Sequence, residues 1–119
     1  MSQTFLPGDF LIFQFETAYG LLRLLEIDGE GDDAVYHLAA YENMFLDIDS
    51  AESAIATGNT FTVSAPHLAL TKRAFESTQT ARLDNRLLED RELATLYSWR
   101  KDAEREVSDL SVRLLLGMR

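Results

Sequence analysis

The 119-residue chain has no cysteine, two prolines and one tryptophan. Without thiols there is neither a disulfide framework nor a thiol nucleophile. A membrane-crossing helix needs about 20 consecutive apolar residues, and no run in the chain approaches that. The opening Met1-Ser2-Gln3-Thr4 lacks a basic region followed by an apolar core, so no secretory signal and a cytoplasmic location are expected. Signatures of chemistry are also missing. There is no HExxH, no Cys/His metal spacing and no G-x-S-x-G elbow. Gly29-Glu30-Gly31 lacks the helix and lysine of a phosphate loop. The expectation is a chain with no enzyme activity, no metal and no cofactor.

Positive charge is scarce where the chain begins. Residues 1–71 hold eleven acids and one base, Arg23, whereas residues 72–119 hold nine acids and ten bases. The formal net charge of −9 is therefore seated in the first part. Such a field repels phosphate backbones and excludes nucleic acid as the expected partner. It attracts a basic protein.

What is present reads as one small domain, with an acidic β-rich part over 1–71 and a helical part over 72–119 packed on it. Leu6-Pro7-Gly8-Asp9 is a turn signal. Phe10 to Phe15 is a strand apolar on both faces, and Glu16-Thr17-Ala18 allows a tight return. Tyr19 to Ile27 predicts a second strand, with Leu21, Leu25 and Ile27 on one face, Leu22 and Leu24 on the other, and Arg23 interrupting the first. Asp28 to Asp33 is a polar hairpin tip. Ala34 to Tyr41 predicts a third strand, with Val35, His37, Ala39 and Tyr41 opposite Tyr36, Leu38 and Ala40. Asp49 to Ala56 predicts a short capped helix or an ordered loop, stopped by Gly58-Asn59. Thr60 to Ser64 alternates as a half-buried strand, His67 to Leu70 continues extended after Pro66, and Thr71 caps a helix over Lys72 to Glu76. From Leu87 the spacing of Leu93, Leu96, Tyr97, Ala103, Val107, Leu110 and Leu114 predicts a long amphipathic helix, with a break near Ser108-Asp109 and a stop at Gly117. The expected sheet core is Phe10, Ile12, Leu22, Leu24, Leu38 and Val63, met by Leu96, Trp99, Ala103, Val107 and Leu110.

Two histidines and an acidic loop are the residues that could carry chemistry. His37 sits mid-strand and His67 follows Pro66, neither within a ligand spacing. The D-G-E-G-D-D run from Asp28 to Asp33 departs from a calcium-loop pattern in spacing and flanks. The bases at Lys72-Arg73, Arg82 to Arg86 and Arg100-Lys101 alternate with acids as solvated helix faces do, Glu92 with neighbouring Arg among them. The aromatics of the first 45 residues read as core.

Pro7-Gly8-Asp9-Phe10-Leu11-Ile12-Phe13, followed by Tyr19-Gly20-Leu21-Leu22-Arg23, resembles the start of small bacterial barrel proteins of the immunity protein 26 family and its uncharacterised relatives. His67-Leu68-Ala69-Leu70-Thr71 with Phe75 is similar to a later strand and short helix of that family, and Tyr97-Ser98-Trp99-Arg100 to a C-terminal helical feature. The resemblance implies a non-enzymatic protein that neutralises a cognate toxin, with no catalytic residues to carry over. The expected fold is α+β, a strongly bent antiparallel sheet or SH3-like small barrel of about five strands with a C-terminal amphipathic helix. The expected function is protein binding through an acidic surface formed by Asp28, Glu30, Asp32, Asp33, Glu42, Asp47, Asp49 and Glu52, which make one negative patch if the hairpin tip and the 42–52 segment share a side. The alternatives are a small-molecule-binding or enzymatic barrel using His37 and nearby carboxylates, and a structural subunit of a homo-oligomer. The non-enzymatic reading is withdrawn if His37 and His67 lie within hydrogen-bond reach of each other and of a carboxylate in a deep cleft.

Overall fold

The structure is a computed structural model and describes residues 4–58 and 60–117. Five strands form one antiparallel sheet: β1 (Asp9–Phe15), β2 (Ala18–Asp28), β3 (Val35–Phe45), β4 (Val63–Thr71) and β5 (Ala81–Asn85). Their spatial order is β4-β3-β2-β1-β5. Among the described residues four α-helices accompany them, α1 (Ile48–Ala56), α2 (Lys72–Thr78), α3 (Asp90–Lys101) and α4 (Val112–Gly117), with a short 3-10 turn at Gly31–Asp33. β4 and β5 each pair with one strand only, so the sheet is open. The expected SH3-like barrel and strong bend are corrected: the sheet is neither closed nor strongly curled.

The reason lies in how the two apolar faces are covered. A barrel would hide one face inside itself; this chain lays helices on both. Leu11, Phe13, Leu22, Leu24, Leu38 and Leu70 point to the first face and pack with Ala74 and Phe75 of α2 and Val112 of α4. Phe75 is stacked on Tyr36 at 4.3 Å and meets Phe5 edge-on at 5.0 Å. On the second face Phe10 and Leu21 pack with Ile55 of α1, and Leu25 and Ala39 with Leu96 of α3. The expected single core is therefore two. Ile27 reaches the first face, not the second, because the β2–β3 register shifts between Leu24 and Glu26. Val63, expected in the core, is 48% exposed at the start of the edge strand β4.

Local signals set most element ends. The carboxylate of Asp9, fully buried, accepts from the Leu6 amide at 2.8 Å and from Asn85 Nδ2 at 2.7 Å, which locks the Leu6–Asp9 turn to β5. Gly8 has φ +94°, and a Cβ there would stand 2.4 Å from the Arg86 carbonyl oxygen, so no larger residue fits. The Asp47 carboxylate caps α1 through the Ser50 amide, and the Thr71 hydroxyl caps α2 through the Ala74 amide. Gly58 follows α1 with φ +74°; Asn59, the other half of the expected stop, lies outside the described residues. Pro66 is tolerated inside β4 because β4 is an edge strand.

The C-terminal third departs from expectation. β5 was hidden among the Arg82 to Arg86 charges: Leu83 is its one large apolar residue, and charged flanks are usual on an edge. The long helix ends at Lys101. Asp102 is extended, and Ser108 pairs with the β4 edge by a 2.8 Å bond to the Ala69 carbonyl and a 2.9 Å bond from the Thr71 amide. Backbone bonds to the sheet thus replace the helical ladder over 102–111. Ala103, Val107 and Leu110, expected to face the core, are exposed. α4 resumes beyond the Ser108-Asp109 break, its Val112 amide donating to the Thr78 hydroxyl at 3.1 Å.

Phe13 lies against Gly20, where a Cβ would meet its ring at 2.6 Å. Phe13→Ala is expected to lower unfolding free energy by about 3–5 kcal/mol in urea titrations; a loss below about 1 kcal/mol would contradict its place at the centre of the first core.

Candidate functional site

The second face of the sheet carries two polar clusters among apolar neighbours. The first joins the two histidines. His37 on β3 pairs in register with Ala69 of β4, so His67, two residues earlier, lies diagonally beside it on the same face. His37 Nδ1 and His67 Nε2 are 2.9 Å apart, and His37 Nε2 is 2.9 Å from Asp28 Oδ2. The rings are within 17° of parallel with centroids 5.1 Å apart, a separation that fits an in-plane hydrogen bond between imidazoles. Arg100 of α3 donates to Asp28 Oδ1 at 2.7 Å, and Trp99 packs edge-on against both rings at 4.9 and 5.6 Å.

The hydrogens follow from the chain of partners. A carboxylate only accepts, so neutral His37 carries its hydrogen on Nε2 and accepts at Nδ1 from His67 Nε2–H. The lone pair of His67 Nδ1 is then left over. Burial holds the His37 imidazole below its ordinary value, against the pull of Asp28. Burial, with the neighbouring His37 and Arg100 charges, pushes His67 down to about 4. His67 opens on a cleft of about 300 Å³ shared with Trp99 and Ser108. The Ser108 hydroxyl there accepts from the Leu110 amide. His37 does lie within hydrogen-bond reach of both His67 and Asp28, but His37 is fully buried and of the three only His67 lines the cleft, so the three are not gathered in a deep cleft as the enzymatic reading required. The base they present, however, is weak near neutral pH, where a general base works best with a matched pKa. Among the described residues, no group of three or more His, Asp or Glu is arranged to hold a metal ion.

The second cluster lies where the covers of the second face leave a gap. α1 and α3 are nine and twelve residues long, or about 14 and 18 Å at helical rise, and a cleft of about 510 Å³ is lined by both. Its walls include Phe10, Tyr41 and Phe61, with the Phe10 and Phe61 rings 6.1 Å apart and Tyr41 5.5 Å from Phe61. At its floor is Arg23, whose side chain is 5% exposed. The guanidinium lies 4.1 Å above the Phe10 ring, a cation–π contact strengthened by desolvation. Its Nη2 donates to the carbonyls of Arg86 at 2.8 Å and Leu87 at 3.3 Å. Glu92, in the first turn of α3, places Oε2 3.7 Å from Nη2, an ion pair too long for a hydrogen bond. Arg23 Nε and Glu92 Oε2 are both buried without a hydrogen-bond partner. Burial pushes the Tyr41 phenol up, with the Arg23 guanidinium pulling the other way.

No family model, curated protein or solved structure matches the chain. The site is therefore read from its own geometry.

The acidic residues named from sequence do not gather. Glu30, Asp32 and Asp33 are exposed at the β2–β3 turn, with Lys72 Nζ 3.8 Å from Asp32. Glu42 is exposed within β3, about 23 Å from its start at the rise of a strand, and Asp47, Asp49 and Glu52 are exposed beyond its far end. Asp28 is half-buried and engaged by His37 and Arg100. The single patch is thus two separated groups, because most of β3 runs between them.

Sequence reasoning passed over Arg23 and Glu92 as binding groups, reading Glu92 as part of a solvated helix face and the aromatics as core. The signal was present in Arg23, the lone base of the first 71 residues, set on an apolar strand face. Among the described residues, no helix is long and apolar enough to cross a membrane.

The histidine pair makes stability pH-dependent. The folded pKa values lie below the unfolded value near 6.5, so the unfolded chain binds more protons in that range. Stability is full above about pH 6.5 and falls as pH drops toward 4. The urea midpoint should fall over that interval, and His67→Gln should flatten the dependence. Trp99, the chain's one tryptophan, should report the same titration through its fluorescence. A midpoint of 6.5 or higher would contradict the buried neutral pair.

Proposed function

We propose that the protein is a non-enzymatic binding module, and that it binds through the cleft on the second sheet face between α1 and α3. The observation that carries this is the aromatic-walled cleft of about 510 Å³ itself, with the Arg23 side chain, 95% buried, among its lining residues. A cleft of this volume is in the range of small-ligand sites, which combine apolar walls with a few fixed polar groups.

The test is titration with small aromatic probes (toluene, phenol and indole) followed by protein NMR. Saturable shifts are expected at Phe10, Tyr41 and Phe61. Thr95 is exposed at the cleft edge on α3, so Thr95→Trp should fill the opening and abolish those shifts while leaving the thermal midpoint within a few degrees. Shifts confined to other surfaces, or unaffected by Thr95→Trp, would overturn the assignment.

A second reading keeps the acidic surface as the working part: a toxin-neutralising, immunity-type protein that captures a basic partner in the cytoplasm. It is favoured by Glu30, Asp32 and Asp33, which stand exposed on the hairpin with Lys72 as the cation beside Asp32. Charge reversal by Asp32→Lys and Asp33→Lys should then slow capture of a basic protein encoded beside this one, without altering the fold. Raising salt should do the same within a Debye length of about 8–10 Å. Capture insensitive to both would remove this reading.

A further inference from the structure

Helix α3 is thinly held. One of its residues, Leu96, is buried, against Leu25 and Ala39, with Leu88 and Leu93 packed beside them. The rest of its attachment is polar or aromatic. In its first turn Glu92 stands 3.7 Å from Arg23. At its C-terminal end Arg100 donates to Asp28, and Trp99 lies edge-on against both imidazoles. The sheet ladders run among the five strands and not through α3, so the helix can part from the sheet without breaking one.

The Asp28–His37–His67 row has two gaps, and in the neutral pair each holds one hydrogen. A first added proton enters at His67 Nδ1, and both gaps survive. A second has only the 2.9 Å gap between His37 Nδ1 and His67 Nε2 to enter. Two hydrogens then oppose each other where one fits, and the rings must separate. His37 is fully buried, so the half-buried His67 and the Trp99 ring against it are what move. Around the pair stand Asp28 and Glu26 from β2, Arg100 from α3, Arg105 near the Trp99 ring, and Glu106 on the cleft that His67 lines. The Glu26 carboxylate accepts from the Ile27 amide, whereas Asp28 is hydrogen-bonded to His37. Two imidazolium charges and Arg100 then compete for the Asp28 carboxylate, and the exposed Arg100 is the group that leaves for water.

We propose that the histidine pair is a two-proton clasp on α3: with both imidazoles neutral it fastens the end of the helix to the β2–β3 hairpin, and with both protonated it releases α3 while the sheet stays folded, so that the cleft between α1 and α3 loses a wall and its ligand. Burial holds both imidazoles below their ordinary value, His67 at about 4. The clasp is therefore closed at neutral pH and opens as pH falls from 6.5 toward 4. Arg91, Glu92 and Thr95 are the residues of α3 that line the cleft. The release stands on the histidine geometry; the loss of ligand rests on the cleft reading above.

The experiment follows the full chain by protein NMR from about pH 7 to about 4, with toluene as the probe for the cleft. At the acid end, amide-exchange protection in α3, measured against the free-peptide rate at each pH, should fall tenfold or more, while Leu11, Leu22 and Leu38 in the sheet keep theirs. The Trp99 indole N–H, which donates to the Glu106 carbonyl, should shift over the same interval. Its slope should be steeper than that of one proton, because release takes up two. Toluene affinity should fall tenfold with it. In His67→Gln the amide can turn to accept from a protonated His37 as readily as it donates to a neutral one, so α3 should stay protected, and the same spectra report that the variant is folded. Loss of sheet protection together with α3, full protection of α3 in acid, a one-proton slope, or release unchanged by His67→Gln would each refute the clasp. Toluene binding undiminished once α3 is released would refute its control of the cleft. If toluene fails to saturate the cleft at neutral pH, the cleft reading fails and the control of ligand with it, while exchange still decides the clasp.

Discussion

A sheet that is apolar on both faces has to be covered twice, and the architecture follows from how this chain meets that demand. β1 alternates Leu11 and Phe13 against Phe10 and Ile12, all buried, so neither side can be left to water. The first face is sealed by α2 and α4, with Phe75 between Phe5 and Tyr36 and the Arg113 guanidinium bonded to the Gln14 and Ser77 carbonyls. The second is covered by α1 and α3, which between them leave Arg23 and its aromatic neighbours beneath a cleft. The cleft is the part of the second face that the available helix does not reach.

Much of this was legible in the residues, and the exceptions have physical causes. Strands β1, β2 and β3 were readable because their apolar runs end in turn chemistry at Gly8, Glu16-Thr17 and Gly29. Helix α2 was readable from its capping residue Thr71, whereas α1 was read only as a helix or ordered loop starting at Asp49, because its cap, Asp47, lies two residues earlier. β5 was not, because a five-residue edge strand with one leucine carries almost no periodic signal. The long C-terminal helix failed for the opposite reason. Its apolar spacing continues past Lys101, yet Ser108 is held by main-chain bonds to β4, and the Trp99 indole donates to the Glu106 carbonyl at 3.0 Å. Such tertiary bonds outweigh the small per-residue preference of Ala103 or Glu104 for helix. The same strand that was read well for its apolar faces was read as a barrel wall, since face polarity alone does not distinguish closure from two helical covers.

The polar groups of the second face show a similar split between type and placement. Arg23 and His37 were visible as polar interruptions of apolar strands, but Glu92 reaches Arg23 from α3 and His67 reaches His37 from β4, elements distant in sequence. An ion pair or imidazole chain assembled across 69 or 30 positions of sequence leaves no local spacing to detect. Asp28 shows the cost of reading charge by composition. It counts as one acid of an exposed loop, yet it is the anchor through which α3 is tied to the β2–β3 hairpin.

The two borders of the sheet also govern how copies of the chain can meet. Strand-to-strand growth needs a free row of amides and carbonyls along an edge. On β4, Pro66 offers no amide, and the Ala69 carbonyl and Thr71 amide are already spent on Ser108. On β5, Arg82 and Asp84 lie either side of Leu83 in a strand of only five residues. A continuous intermolecular sheet growing from β4 would have to strip the 102–111 segment from that border. The β4 border is thus guarded against the edge-to-edge pairing that turns open sheets into fibres, and the shortness of β5 limits what the other border can offer.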